Sequence, residues 1–263
     1  MTLLWDPALY RRHDDHRTRP FLDLVARVAA TDPREVVDLG CGPGHLTGVL
    51  AQRWPDARVR ASDSSPEMVA AARDAGVDAE LADVRDFAPG PDTDVVVSNA
   101  VLHWVPEHRE LLARWAAALP SGGWLAVQVP GNEVSASHTI ARDVLASDAW
   151  SARVPGGLAA YGVGTAEEYA RLLAAARPGA HVDCWETTYQ HPLTGGESGD
   201  DPVGDWIAGT TLRPVRAVLT DAEWEQLRAD LAPRLRAAYP PDDAGTTWFG
   251  FRRVFAVLAA PDG

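Results

Sequence analysis

The sequence predicts an α/β fold on a mostly parallel sheet, with helices on both faces. Three observations lead to it. The run Val36-Val37-Asp38-Leu39 passes straight into Gly40-Cys41-Gly42-Pro43-Gly44-His45-Leu46, which reads as a doubly covered strand, a glycine turn and a helix start. A second strand-like run, residues 58–63, closes on Asp63. From there to residue 129, strand and helix patterns alternate, as parallel pairing requires, because each crossover needs a helix-length connection.

The glycine turn carries the first chemistry. Gly40 and Gly42 let the backbone turn tightly and approach a ligand, since no Cβ intervenes. Pro43 and Gly44 open a helix over residues 44–54, whose free N–H groups suit a carboxylate or phosphate. A dinucleotide site requires G-x-G-x-x-G, and its third glycine position falls on His45. What stands instead is D-x-G-x-G-x-G, beginning at Asp38. That pattern resembles the first motif of class I S-adenosylmethionine (SAM)-dependent methyltransferases. The resemblance implies a Rossmann-like three-layer sandwich whose seven-stranded sheet is mostly parallel, with an antiparallel last strand. It also implies that the methionine carboxylate of SAM faces the loop N–H groups and its ammonium the Asp38 side.

Asp63 ends the second strand about twenty residues past the glycine loop, the place for an acid that binds ribose hydroxyls. Ser64 and Ser65 cap the next helix, with Pro66 at its first position and Glu67 in its first turn. Met68 follows, where the methyltransferase family places a residue against adenine. Gly76 stops this helix. A third strand, residues 77–82, closes on Asp83-Val84, and an acid there can accept the adenine amino hydrogens. The fourth strand, residues 94–99, ends in Asn99-Ala100-Val101-Leu102-His103-Trp104. Ligands of open α/β sheets bind beyond the carboxyl ends of the strands, so this segment meets the reacting centre. Asn99 resembles the acidic or amide residue of the family's fourth motif. His103 and Trp104 fall at the start of a helix reaching Leu119 and are candidates for cofactor or substrate contact. By the same resemblance Cys41, Leu46 and Ala100 join the cofactor-binding candidates. Trp124 to Val129 is the fifth strand.

The alternation then breaks. Residues 131–180 carry helical patterns at 135–146 and 165–176 around a glycine-rich loop, before a strand over 180–189. Residues 191–246 are too long for a simple connection and hold helices at 205–210 and 221–239. Residues 247–258 finish as a strand. The insertions at about 131–180 and 191–246 read as a cap on one methyltransferase domain, residues 31–263. Residues 1–30 form a helical extension, in which Phe21, Leu24, Val25 and Val28 recur at helical spacing.

The chain has 263 residues, 46% hydrophobic content and a net charge of −13. That charge argues against nucleic acid and anionic membranes as partners. All 24 basic residues are arginine. Cys41 and Cys184 lie far apart and match no metal spacing. No apolar run is long enough to span a bilayer, and residues 1–19 lack the apolar core of a signal peptide. A cytoplasmic enzyme without a metal is expected; the oligomeric state is not legible.

Taken together, several segments resemble the trans-aconitate 2-methyltransferases over nearly the whole chain. They are Trp5-Asp6-Pro7, Tyr10, Arg17-Thr18-Arg19-Pro20, Asp38 to Gly44, Asp63-Ser64-Ser65-Pro66, Asn99-Ala100 with His103-Trp104-Val105-Pro106, Ala126-Val127-Gln128-Val129-Pro130, Trp185 to Tyr189 and Leu212-Arg213-Pro214. The resemblance implies methyl transfer from SAM to a carboxylate of trans-aconitate, releasing the monomethyl ester and S-adenosylhomocysteine (SAH). A carboxylate is already ionised at neutral pH, so no general base is needed. Tyr10 and His103 are positioning candidates. A polycarboxylate calls for arginines, which bind carboxylates bidentately; the candidates are Arg19, Arg213 and Arg252, with Tyr189 and Trp248 as further substrate contacts. Pro214 biases Arg213 towards an extended conformation. Arg252 and Arg253 point to opposite faces of the last strand, and the one turned from the cap is expected to be a solvated or paired surface charge. Other readings stay open: a methyltransferase of another small acid or of an acyl-carrier-bound carboxyl, and a SAM-binding protein without catalysis. An NAD-dependent oxidoreductase is disfavoured by the failed glycine pattern.

Overall fold

The computed structural model describes residues 18–158, 162–195 and 201–263. Trp5, Tyr10 and Arg17 lie outside the described residues. In chain order the elements are helix α1 (Thr18–Val25), strand β1 (Glu35–Leu39), α2 (Thr47–Arg53), β2 (Arg58–Asp63), α3 (Pro66–Asp74), β3 (Ala79–Leu81), β4 (Thr93–Asn99), α4 (His108–Ala118), β5 (Trp124–Pro130), α5 (Ala136–Leu145), α6 (Ala166–Ala176), β6 (His181–Thr194), α7 (Pro202–Ala208), α8 (Arg213–Arg216), α9 (Asp221–Ala238) and β7 (Thr246–Ala259). Short 3-10 turns cover Val84–Asp86 and Leu102–Trp104.

One seven-stranded sheet runs in the order β3-β2-β1-β4-β5-β7-β6. Strands β3, β2, β1, β4 and β5 pair in parallel, and β7 is antiparallel to β5. This is the expected mostly parallel sheet with a reversed last strand. The apolar runs follow from it: all five residues of β1 are buried, as are Val95, Val96 and Val97 of β4, because both sheet faces are covered. The chain crosses from the β3 edge back to β4, so the crevice at the carboxyl ends of β1 and β4 is the switch point where such sheets take ligands. Helix α1 packs on β5, and Phe21, Leu24 and Val28 are fully buried.

The chain divides into two compact units. The first comprises residues 1–130, 164–186 and 253–263, the second residues 131–163 and 187–252. The second has its own core, with Trp150, Ile207, Leu212, Leu227, Leu235 and Phe249 each at most 1% exposed. Its longest helix, α9, starts with a capping box of Thr220 and Glu223, in which each side chain satisfies the other's orphan N–H. Trp150 donates its indole N–H to Asp230 at 2.9 Å. Among the described residues no helix is long and apolar enough to cross a membrane.

Several expectations are corrected. The helix assigned from Gly44 begins only at Thr47, because Gly40, Gly42 and Gly44 all have positive φ, 78°, 56° and 85°, which a right-handed helix excludes. The third strand is shorter than residues 77–82, as an edge strand often is. His103 and Trp104 sit in their own 3-10 turn, not on α4; Val105, extended before Pro106, separates the two. Helix 165–176 belongs to the first unit. Arg213 is not extended but the first residue of α8; in the first turn, the missing N–H of Pro214 leaves no helical bond unmade. Arg253 is not a surface charge: it is 4% exposed, because β7 is covered on both faces.

Candidate active site

The glycine loop joins β1 to α2 and is pinned to β2. Gly40 and Cys41 both donate their N–H to Ser62 O, at 2.8 and 2.9 Å. A Cβ on Gly40 would lie 2.1 Å from a Val101 methyl, whereas one on Gly42 would meet nothing within 4 Å. One side of the loop is therefore filled by the segment after β4, and the other faces open space. Asp63, at the end of β2, holds this shape. Its Oδ2 accepts from Gly42 N–H and its Oδ1 from Ser65 N–H, both at 2.9 Å. Each oxygen keeps a lone pair for a hydroxyl donor. Ser65 is the N-cap of α3, its side chain accepting from Met68 N–H; Ser64 is exposed and Met68 is 38% exposed.

Asp38 is 3% exposed and accepts from Thr47 Oγ1 at 2.6 Å. Burial pushes its carboxyl up to about 6; the Thr47 hydrogen bond opposes that rise and the Asp63 charge adds to it. Cys41 is pushed up to about 12, by burial first and then by the Asp38 and Asp63 charges, so its thiol stays protonated. Leu46, just after the glycine loop, and Val84, next to Asp83, are both buried. Asp83 caps its 3-10 turn and accepts from Arg85 N–H and Nε–H, both at 2.9 Å. The Arg85 guanidinium holds its carboxyl down at about 2. As placed, this acid is committed to Arg85.

At the carboxyl end of β4, Asn99 pairs with Gln128 of β5, and Ala100 N–H donates to Gln128 O at 2.9 Å. Ala100 has φ 58°, the only positive value at a non-glycine among the described residues. Such strain persists where the surroundings over-determine it, often at functional sites. Asp38 is opposite Val97 and Asn99 lies two residues on, so both side chains stand on one face of the sheet. Asn99 Oδ1 is buried without a hydrogen-bond partner among the described residues. His103 is half-buried and its ring lies 4.6 Å from that of Trp104, which is 46% exposed. Two acceptors, Asp38 and Asn99, an open glycine loop and the Asp63 carboxylate fit a ligand that brings an ammonium and hydroxyls.

The substrate candidates fall in both units. Arg19 is on α1, its Nε 3.9 Å from Asp23. Tyr189, on β6 in the second unit, is 4% exposed. Arg213 is exposed on α8. Trp248 is 54% exposed, its indole donating to Asp242 at 2.9 Å. Arg252 donates Nη1–H to Gly131 O at 2.8 Å, while its backbone N–H donates to Asn132 Oδ1 at 2.8 Å. Tyr10 lies outside the described residues. Sequence reasoning did not single out Thr47, which donates to Asp38, or the buried pair Gln128 and Arg253. The signal for Gln128 was available: it is the one polar residue inside the apolar run Trp124–Val129, and a polar residue there is buried and must be paired. His138 of the second unit was also missed. Its Nε2 lies 3.1 Å from Thr211 Oγ1, and burial, then the Arg142 charge, lowers its pKa to about 4. Among the described residues no group of three or more side chains could hold a metal.

Sheet order, glycine loop and the acid at the end of β2 define a methyltransferase domain of the class I type. A family profile described as a methyltransferase domain matches residues 10–177. The chain belongs to the trans-aconitate 2-methyltransferase family. It is 57% identical to the trans-aconitate 2-methyltransferase of Rhodococcus jostii over 97% of this chain and 98% of that one. With the Mycobacterium tuberculosis protein of that name the identity is 51%, over 97% and 96%. Solved structures share the fold: a putative methyltransferase from Bacillus halodurans has a TM-score of 0.57 at 17% identity, covering 92% of this chain and 99% of that one. Haemonchus contortus phosphoethanolamine N-methyltransferase 2, solved with S-adenosylhomocysteine, has a TM-score of 0.51 at 16% identity, covering 93% and 53%.

Proposed function

We propose that this chain transfers the methyl group of SAM to a carboxylate oxygen of trans-aconitate, giving the monomethyl ester and SAH. The observation that carries the reading is the 57% identity to a trans-aconitate 2-methyltransferase over 97% of the chain. That likeness runs through residues 187–252, beyond the matched methyltransferase profile. SAM supplies an activated methyl on a sulfonium. In this reading Asp38 and Asn99 hold its ammonium, the Gly40–Gly42 loop its carboxylate, and Asp63 its ribose hydroxyls. Met68, Asp83 and Val84 flank the adenine, with Cys41, Leu46, Ser64, Ala100 and His103 lining the remainder. The chain's task is then to hold one carboxylate oxygen in line and exclude water. The family resemblance names Arg19, Arg213 and Arg252 as the charges for a polycarboxylate, with Tyr10, Tyr189 and Trp248 as contacts. We place the enzyme in the cytoplasm, in keeping with two free cysteines.

Turnover with methyl-labelled SAM across small di- and tricarboxylates tests the reading. Trans-aconitate is expected to give the highest specificity constant. A different acid preferred by tenfold or more removes this substrate, and no transfer to any acid removes the activity.

Two pH dependences separate binding from chemistry. The nucleophile is a carboxylate with an ordinary pKa near 4, so kcat at saturating substrates is expected to be flat from about pH 6.5 to 8. A rise with a midpoint near 7 would instead point to a general base such as His103. SAM affinity is expected to behave differently. Free Asp38 binds its proton up to about 6, and an ammonium ligand requires the ionised form, so binding expels a proton below that pH. The SAM dissociation constant should rise by up to about tenfold per pH unit on acidification below 6 and be level above it. Calorimetry from pH 5 to 8 checks this; a level constant throughout would remove the Asp38–ammonium contact.

A further inference from the structure

We infer that Gln128 and Arg253 form a seat for a carboxylate of the substrate, one that does not receive the methyl group. The inference rests on the reading of the substrate as a small polycarboxylate. Gln128 is 0% exposed and Arg253 4% exposed, both within the first unit. Arg253 is opposite Pro130, and Gln128 opposite Phe255, so the two side chains stand on one face. Asn99, opposite Gln128, shares it. Because β7 runs antiparallel, its early residues reach the edge where the parallel strands end, and that edge is where open α/β sheets take ligands.

The hydrogen bond between the pair settles how the amide is turned. Arg253 Nη1–H donates to Gln128 Oε1 at 3.2 Å. A guanidinium can only donate, so the amide oxygen must face it and the NH₂ must face away. Gln128 Nε2 is buried, with no hydrogen-bond partner among the described residues. Burying an amide donor in this way is unfavourable unless something accepts from it. The missing partner is an acceptor, and the buried guanidinium next to it makes an anionic acceptor the natural one. In a chain of net charge −13, a carboxylate is drawn to such a point only by local donors. Planar carboxylates match a guanidinium and an amide NH₂ side by side.

The test uses the full-length protein. Trans-aconitate is titrated by calorimetry into enzyme saturated with SAH, and KM and kcat are measured separately. Gln128→Met removes the donor at nearly constant shape. Gln128→Glu keeps an acceptor for Arg253 but places negative charge where the substrate's would lie. We expect the KM for trans-aconitate to rise about tenfold in Gln128→Met and a hundredfold or more in Gln128→Glu. SAM affinity should stay within about twofold and kcat should change less than KM. If Gln128→Met does not fold, Gln128→Glu carries the test alone. A folded variant with wild-type KM and wild-type trans-aconitate affinity overturns the seat and leaves the pair structural only. Wild-type binding without turnover sinks the proposed reaction, and the seat is then judged by variant binding alone. Absence of wild-type binding overturns the seat as well.

Discussion

Gly40→Ala is expected to destroy methyl transfer and to lower stability together. The residue has φ 78°, a conformation that costs an L-residue about 1–2 kcal/mol. Its new Cβ would lie 2.1 Å from Val101 Cγ2 and 2.9 Å from Cγ1. Val101 is β-branched and cannot swing aside cheaply, so forced repacking adds roughly 1–3 kcal/mol. The loop is also tied to Ser62 O through two N–H groups, which limits how it can relax. Any shift moves the N–H groups that the cofactor reading needs. Val101→Ala should relieve the clash but not the backbone strain, so Gly40→Ala/Val101→Ala is expected to recover only part of the lost stability. Gly42→Ala provides the contrast. A Cβ there meets nothing within 4 Å, so it should cost only the φ strain while intruding on the ligand's space. Denaturant unfolding and SAM titration of the four proteins decide the matter. Wild-type stability and SAM affinity in Gly40→Ala would sink the account of the loop.

The parts of the fold legible beforehand were those where one residue type had one physical use. Val36, Val37 and Leu39 read as a doubly buried strand, and the glycines directly after it as a tight turn. What escaped depended on pairing or on context. Gly44 looked like a helix opener from composition. In the structure it is the last of three positive-φ glycines, with Ala72 and Val77 only 2.9–3.1 Å from where its Cβ would lie. Pro214 restricts its predecessor in isolation, yet Arg213 is helical because tertiary burial of Leu212 and Val215 outweighs that bias. Alternation along β7 established that Arg252 and Arg253 face oppositely. It could not say which partner each would meet, since that follows from the register with β5, set over more than a hundred residues of chain. Asp63 was located correctly as a strand-end acid, but its bond to Gly42 depends on how the loop folds back over β2.

That bond sharpens the expectation for Asp63→Ala. The carboxylate bridges Gly42 N–H and Ser65 N–H at 2.9 Å each, which orients its free lone pairs while holding the glycine loop to the start of α3. Removing it takes away two charge-assisted hydroxyl contacts in the cofactor reading, roughly 2–4 kcal/mol, or about a 30- to 1,000-fold rise in the SAM dissociation constant. It also leaves Gly42 N–H without its partner, so the loop should loosen. Asp63→Asn separates the two effects. An amide has one oxygen for two backbone donors, and its NH₂ would confront the other N–H. Its affinity should fall between wild type and Asp63→Ala, with a smaller loss of stability. Titration calorimetry with SAM, alongside thermal unfolding without ligand, measures both. Unchanged affinity in a folded Asp63→Ala protein would take this carboxylate out of the binding site, whatever it does for the loop.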